Sequence, residues 1–554
     1  MQNIKHIFRH IYDWVLHHKV ITGIFVFAGF IHIGIIFFSG SIICQKNACG
    51  MYIGGLHFHD SLWHLALANS AFNKLPFQLP VYVGASLQGY NYFIDLIIYL
   101  LTKIGISALI SYFKLIPVIF FLSFSYLSYL YAKKTNKSQI FIACFLFFIF
   151  FGSSFTYILS LYHFKTLSSF YYAQAMQSGR MLLNLQYAVS LLPFLGSLVI
   201  LKNKNLSLLH IFTLGFLLIV TTGFKLYGGV ILLFLLGTDL IIRFVKEKKY
   251  IYLIKSGVII LASFILAVIL FYNPFVAMKS GAVFIFSPFA LSRQMIEAAD
   301  HFYMPQLVQA RYYLQSVNPH SPRLFAIELF SAFLFIFLNS GTRIVGFIYI
   351  TAQILRKKIT KDEMVLFLSI IFSTLLTLTL VQKGTWWNVV QFYGYSLFLM
   401  NYFAAMFLYK LFSSKKLFLA CLGIVIILLT LPTNIEQMSF PFERSISITS
   451  NELKALEKLK QLPEGTVQSL PLQDTAYISA FSGKKQYIAD EGVLTIIGID
   501  FRGRMASIKN INSINLIPQI QYLYIKKIDY KESQQIIGFT TVYENSEIVI
   551  KKRN

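Results

Sequence analysis

The segment NYFIDLIIYLLTKIG, residues 91–105, resembles a membrane span, and whether it is counted as one decides the fold. It has 15 residues, whereas a helix needs about 20 to cross a hydrocarbon core of roughly 30 Å. It carries Tyr92, Asp95 and Lys103, with Tyr90 just before it. Counting it as a span inverts every later loop. Read as a helix lying along the membrane surface, with its tyrosines at headgroup level, it leaves a consistent topology.

Working outward, the chain of 554 residues is 56% hydrophobic and 13% charged. Repeated apolar runs of about 18–25 residues define a polytopic helical membrane protein. About eleven spans are expected, near 20–43, 108–132, 138–160, 186–202, 206–222, 227–245, 252–272, 323–353, 363–381, 391–411 and 416–433. The run from Val20 to Ile43 is too long for a cleavable signal and lacks a small-residue cleavage site, so it reads as a first span.

Charge supports this count. Residues 1–433 hold 33 basic and 10 acidic side chains. Nineteen of the basic ones fall in six short segments that this topology puts on one side: 1–19, 133–137, 202–204, 243–250, 354–361 and 410–416. That side is expected to be cytoplasmic, with the N-terminus on it, in a multi-pass plasma (inner) membrane protein. The net charge of +25 therefore sets topology. Nucleic acid is not an expected partner, because no soluble, basic, aromatic-interleaved module is present. The bilayer is one.

The predicted architecture is mainly α: a transmembrane helical bundle over 1–433 and a small soluble, extracytoplasmic α/β domain over 434–554. Two large outer loops are expected, 51–105 with surface helices at Asp60–Leu75 and Asn91–Gly105, and 273–322. The eighth span should break or tilt strongly at Asn339-Ser340-Gly341. Thr449-Ser450-Asn451-Glu452 forms a capping box ahead of a helix. Strands are predicted at 466–470, 521–525, 540–543 and 547–550, and helices near 474–482 and 502–509. Cys44 and Cys49 allow a disulfide if their face is oxidising; two separate thiols are the alternative.

Acids are scarce, and this narrows the chemistry. The outer-facing acids of the membrane part are Asp60, Asp95, Glu297 and Asp300. Transfer of a sugar from a phosphate carrier needs one carboxylate to take the acceptor's proton, with cations or a metal at the leaving phosphate. Glycoside hydrolysis needs two carboxylates. Asp60 is the candidate base, and an N-cap role is its plain alternative. His64, four residues on, shares its helical face; His59 adjoins it. His57, His59, Asp60 and His64 are a candidate divalent-metal set, although their spacing is not a tight ligand pattern. Lys225, among Gly223, Gly228 and Gly229, is the first candidate for donor phosphate, with a snorkelling lysine as the alternative. Arg180 and Arg293 are further candidates, since Arg suits bidentate phosphate contact. Arg311 and Lys383 rank below them. Glu328, near the outer end of its span, is placed to face the cavity, and Tyr90 to contact substrate. Asp239 reads as structural, paired with Arg243.

A first span with a basic start, an outer loop bearing HD-x-x-x-H (His59 to His64), Pro76-x-x-x-Pro80, a tyrosine-rich surface helix and a span ending in Lys133-Lys134 follow in order. This layout resembles the GT-C superfamily of integral membrane glycosyltransferases, such as protein mannosyltransferases and lipid A aminoarabinose transferases. The resemblance implies a polyprenyl-phosphate-linked donor, a lipid, glycan or protein acceptor, and the catalytic role for Asp60. Its sequence-specific part covers about residues 51–132. There are departures. A lone Asp60 stands where acid pairs are common, and Gln88-Gly89 replaces a basic residue found in some members. The oligosaccharyltransferase signature WWDYG is missing, with Trp386-Trp387-Asn388 only a superficial echo. The expected function is an inverting glycosyltransferase of the outer membrane face. A polysaccharide polymerase or ligase, or a lipid-linked sugar flippase, is the alternative.

Overall fold

The computed structural model describes residues 15–46, 48–54, 57–167, 181–275, 284–382, 385–439, 444–509, 511–529 and 536–554. Helix α1 (Lys19–Phe37) leads into a hairpin of β1 (Ser41–Gln45) and β2 (Ala48–Tyr52). Helix α2 (Phe58–Ala66) continues as a π-turn over Leu67–Ala71, and α3 (Phe93–Lys103) follows. Then come α4 (Ala108–Thr135), α5 (Gln139–Phe151), α6 (Tyr157–Phe164), α7 (Leu185–Leu201), α8 (Leu208–Phe224), α9 (Leu226–Lys246) and α10 (Tyr250–Tyr272).

Strand β3 (Phe284–Phe286), α11 (Ala290–Glu297) and α12 (Pro305–Val317) precede α13 (Pro322–Ser340) and α14 (Val345–Leu355). The bundle ends with α15 (Lys361–Thr379), β4 (Leu380–Gln382), α16 (Val390–Phe412), α17 (Leu417–Leu428) and α18 (Leu431–Ser439). A C-terminal region holds β5 (Ile448–Thr449), α19 (Ser450–Gln461), β6 (Thr466–Leu470), α20 (Tyr477–Ser482), α21 (Glu491–Ile497), α22 (Arg502–Lys509), β7 (Ile520–Lys526), β8 (Phe539–Glu544) and β9 (Ile548–Arg553).

Among the described residues, eight helical stretches are long and apolar enough to cross a membrane, and α5, α7 and α8 are shorter apolar helices. Together they fall where the eleven runs were read. Helix α3, at 11 residues, is not among them. The basic segments 133–137, 202–204, 243–250 and 354–361 meet at one end of the bundle. There Lys202 pairs with Asp362 at 2.9 Å, and Lys361 pairs with Asp239. Arg243 pairs with Asp239 at 3.2 Å and caps the carbonyls of Leu201, Asn203 and Lys204.

Three boundaries differ from the sequence reading. The first apolar run stops being helical at Phe37, because Ser41–Gln45 is taken into the hairpin closed by the Cys44–Cys49 disulfide. The run over 138–160 ends as a helix at Phe151. There the fully buried Arg343 donates to the carbonyls of Gly152 (2.6 Å) and Ser153 (3.3 Å), groups that a continuing helix would have used itself. Asp60 is not an N-cap: α2 starts at Phe58, with His57 at the cap position and Asp60 in the first turn.

The expected break in the eighth run is present. Gly341 takes φ +54° and a 3₁₀ turn spans Gly341–Ile344. A Cβ on Gly341 would lie 1.9 Å from the Ser153 carbonyl oxygen.

The C-terminal sheet has the order β6-β7-β9-β8, with β6 and β7 parallel and the other pairs antiparallel. Thr449 and Glu452 form the capping box of α19 at 3.0 and 3.1 Å. This region is sewn onto the first loop by main chain. Strand β5 pairs with β2, where Gly50 permits the approach; a Cβ there would meet the Ile448 carbonyl oxygen at 2.4 Å. Val83 N donates to Gln486 O at 3.0 Å, Gln486 N to Pro80 O at 2.7 Å, and Ala489 N to Val81 O at 3.0 Å. Arg504 stacks between Tyr82 and Tyr487, its Cζ 3.8 and 4.6 Å from the two ring centres.

Replacing Gly341 by Ala puts a Cβ into the backbone of the α5 end and strains a left-handed position. It should cost about 2 kcal/mol or more of stability. Thermal unfolding of the detergent-solubilised chain reads this, with Ser340→Ala as a neighbouring control.

Candidate functional site

A cavity opens where the first loop, the α8–α9 junction, the start of α16 and α21 converge. Its charged wall consists of Asp60, His64 and Lys225. Asp60 reaches it from the first turn of α2: the helix is buried from Ser61 through Ala66, while the Asp60 side chain is left 57% exposed. Enclosing protein works against its charge, but His59, His64 and Lys225 outweigh this and hold the Asp60 carboxyl below the usual carboxylate range.

His64 is buried one turn further along. Its Nδ1 lies 3.0 Å from Asp95 Oδ1 on α3, and 3.1 Å from Gln186 Nε2. The fully buried Asp95 is raised by desolvation, offset in part by His64. The Nδ1 of His64 is thereby taken up by Asp95 and Gln186, which leaves Nε2 for the cavity. Helix α3 thus presents the carboxylate that faces His64.

Lys225 ends α8 and begins α9 in extended backbone, and it is only 4% exposed. Its ammonium reaches Asn184 Oδ1 at 3.4 Å, a weak partner for so buried a cation. Thr222 lies against Gly229 so closely that a Cβ on the glycine would meet it at 2.2 Å, which ties the two helices at this turn.

The opposite wall is uncharged. Gln382 Oε1 accepts from Tyr227 (3.0 Å) and from Asn388 Nδ2 (3.0 Å), and Gln391 Nε2 donates to Asn388 Oδ1 at 3.3 Å. Gln391 Oε1 and, across the cavity, Asn91 Nδ2 are buried without hydrogen-bond partners. Trp387, 41% exposed, stands beside them. The sequence reading misses this wall. Its signal is present in Trp386-Trp387-Asn388, a polar and aromatic run at the start of a span, which sequence alone reads as a failed motif.

The remaining candidates fall elsewhere. Tyr90 lines the cavity, packing edge-on against Trp63. His59 stands beside Asp60, its Nδ1 3.7 Å from the Asp60 carboxylate, with Nε2 2.9 Å from Asp490 Oδ1. Arg293 and Glu328 pair with each other at 2.7 Å and line no part of the cavity. Each carries the other's counter-charge, which explains how an acid is tolerated in α13. Arg311 pairs with Glu297. Arg180 and Lys383 lie outside the described residues.

The metal set does not assemble. His57 is buried with Nε2 2.7 Å from Ser39 Oγ, while His59 faces Asp490 and His64 faces Asp95. Desolvation lowers His57 to about 4, against the pull of Asp60. Among the described residues no three His, Cys, Asp or Glu side chains converge as ligands.

No described protein family and no curated protein matches the chain. Solved structures do. The chain is similar to the Archaeoglobus fulgidus oligosaccharyltransferase tethered through a disulfide to an acceptor peptide containing the NVT sequon. That match has TM-score 0.50 and 11% identity, over 93% of this chain and 70% of that one. It is also similar to the archaeal oligosaccharyltransferase AglB from Archaeoglobus fulgidus in complex with an inhibitory peptide and a dolichol-phosphate (TM-score 0.49, 12% identity, 93% and 70%). A third match is the Archaeoglobus fulgidus oligosaccharyltransferase in complex with Zn and sulfate (TM-score 0.49, 12% identity, 91% and 68%). At these identities the likeness is one of fold. The chain is a polytopic helical membrane protein that shares the fold of the Archaeoglobus fulgidus oligosaccharyltransferase.

Asp95→Asn removes the carboxylate against which the buried His64 is held. Breaking a buried pair from one side costs about 3 kcal/mol. The variant should melt at a lower temperature than the parent in detergent, whereas His64→Gln in the same background should cost little more.

Proposed function

We propose that this protein is a membrane glycosyltransferase that moves a sugar from a polyprenyl-phosphate-linked donor to an acceptor, by inverting displacement at the cavity. The observation that carries the reading is that Asp60, His64 and Lys225 line one cavity. Such transfer needs a carboxylate for the acceptor and a cation for the departing phosphate, with little else charged nearby.

In this reading Asp60, held ionised, takes the proton of the acceptor hydroxyl as its oxygen attacks the anomeric carbon. The bond from that carbon to the phosphate oxygen breaks on the opposite face, inverting the centre. Lys225, buried and with one long hydrogen bond, receives the phosphate charge; His64, oriented by Asp95, contributes a donor. The uncharged wall of Gln382, Trp387, Asn388 and Gln391 suits hydroxyl groups and the apolar face of a sugar ring, and it would take the uncharged part of a substrate. Among the described residues no metal-ligand set converges, and no step is routed through one.

Orientation follows the charge rule: the end bearing the basic segments is cytoplasmic, and the cavity and the sheet region, residues 434–554 in the domain division, face outward. The shared GT-C fold supports the reaction class, since the archaeal neighbour is an oligosaccharyltransferase caught with an acceptor peptide.

Membranes carrying Asp60→Asn and a labelled polyprenyl-phosphate sugar should show transfer reduced about 10²–10⁴-fold. Lys225→Met should mainly weaken use of the donor, by about tenfold or more. Transfer by Asp60→Asn at the parental rate rejects the mechanism.

A further inference from the structure

The sheet region does more than cover the bundle. Asp490 sits at the start of α21 in a left-handed conformation (φ +54°), wholly buried. Its Oδ1 accepts from Val493 N at 3.1 Å, and the same oxygen lies 2.9 Å from His59 Nε2 on α2. Its Oδ2 is buried without any hydrogen-bond partner. A capping residue has no need to be this enclosed, since the cap uses one oxygen and asparagine caps equally well. A buried carboxylate is costly unless a cation answers it. From the far end of α21, Ile496 and Ile497 enter the cavity wall.

We infer that Asp490 is a positioning residue through which the sheet region holds His59 beside the Asp60 carboxylate, and that α21 forms one wall of the reaction cavity. His59 is the hinge of the arrangement, with Nε2 on Asp490 and Nδ1 toward Asp60. With a carboxylate on each side the imidazole is a cation, and its charge lies where Asp60 needs it to remain ionised. Those two carboxylates are the charged groups that face His59; the Asp490 hydrogen bond, then Asp60, raise it to about 10 against the opposing effect of burial. Its charge therefore persists through the ordinary histidine range and is lost only as pH rises through about 10. The main-chain splice of Val81 and Val83 to Gln486 and Ala489 ends one residue before Asp490. Register between loop and sheet region therefore sets where His59 points.

The kinetic consequence rests on the proposed function, but the test reads His59 itself. In the full chain in detergent micelles, with ¹³C-labelled histidine and the His59 signal assigned by its loss in His59→Gln, the His59 midpoint should lie far above that of an exposed histidine. Asp490→Asn keeps the cap and removes the charge; it should lower the midpoint by about two units or more. Asp490→Ala should lower it equally and also lower the melting temperature. Asp60→Asn should lower it less than Asp490→Asn does. A parental midpoint near 6.5, or one that Asp490→Asn does not move, or a larger drop from Asp60→Asn, overturns the inference. If Asp60→Asn keeps full transfer while His59 titrates as stated, the function reading fails and this one stands.

Discussion

Backbone hydrogen bonds between the first loop and the C-terminal region hold the rest in place. The turn at residues 80–83 is joined to 486–489 by three main-chain hydrogen bonds, and β2 pairs with β5. These contacts join segments some 400 residues apart in sequence. They are made by main chain, and in the β2–β5 pairing a one-residue slip would turn the neighbouring side chains to the other face. Because of that register, α2 presents Asp60 to the cavity, α3 presents Asp95 to His64, and the start of α21 presents Asp490 to His59.

The charges in and around the cavity are few and divided between elements. Asp60 and His64 come from α2, Lys225 from the α8–α9 junction, Asp95 from α3 and Asp490 from the C-terminal region. Each histidine of the first loop has its own partner, and this explains why a cluster suggestive of metal ligands in the sequence is not one in space. Burial makes such pairing obligatory: an imidazole or carboxylate withdrawn from water must find a counter-charge or a hydrogen bond. Metal ligation would require three such side chains to converge on one point, and among the described residues none do.

Much of this was legible in the sequence. Long apolar runs separated by basic segments gave the bundle and its alternation, because hydrophobic length and loop charge are local properties. Residues 91–105 read as too short for a span, and the helix there has 11 residues. Asp60, His64 and Lys225 could be named as a set because so few polar residues compete with them. What was not legible depends on contacts distant in sequence. Glu328 looked like a cavity residue, and only the fold shows that Arg293 claims it. Asp490 was one acid among the 13 of a balanced tail, with nothing local to connect it to His59. Ser41–Gln45 read as the end of a span because its strand partner, and the pairing of β2 with β5, lie outside any sequence window.

The account's central claim is that one cavity holds donor phosphate on Lys225 and the reacting carbon before Asp60. The most direct measurement is a cryo-EM structure of the full chain in nanodiscs with a non-hydrolysable polyprenyl-phosphonate sugar. The account predicts the phosphonate within hydrogen-bond distance of Lys225 Nζ, and the anomeric carbon facing Asp60 across a gap open to an acceptor. A headgroup bound away from Lys225, or a sugar whose anomeric carbon has no open path to Asp60, would contradict it.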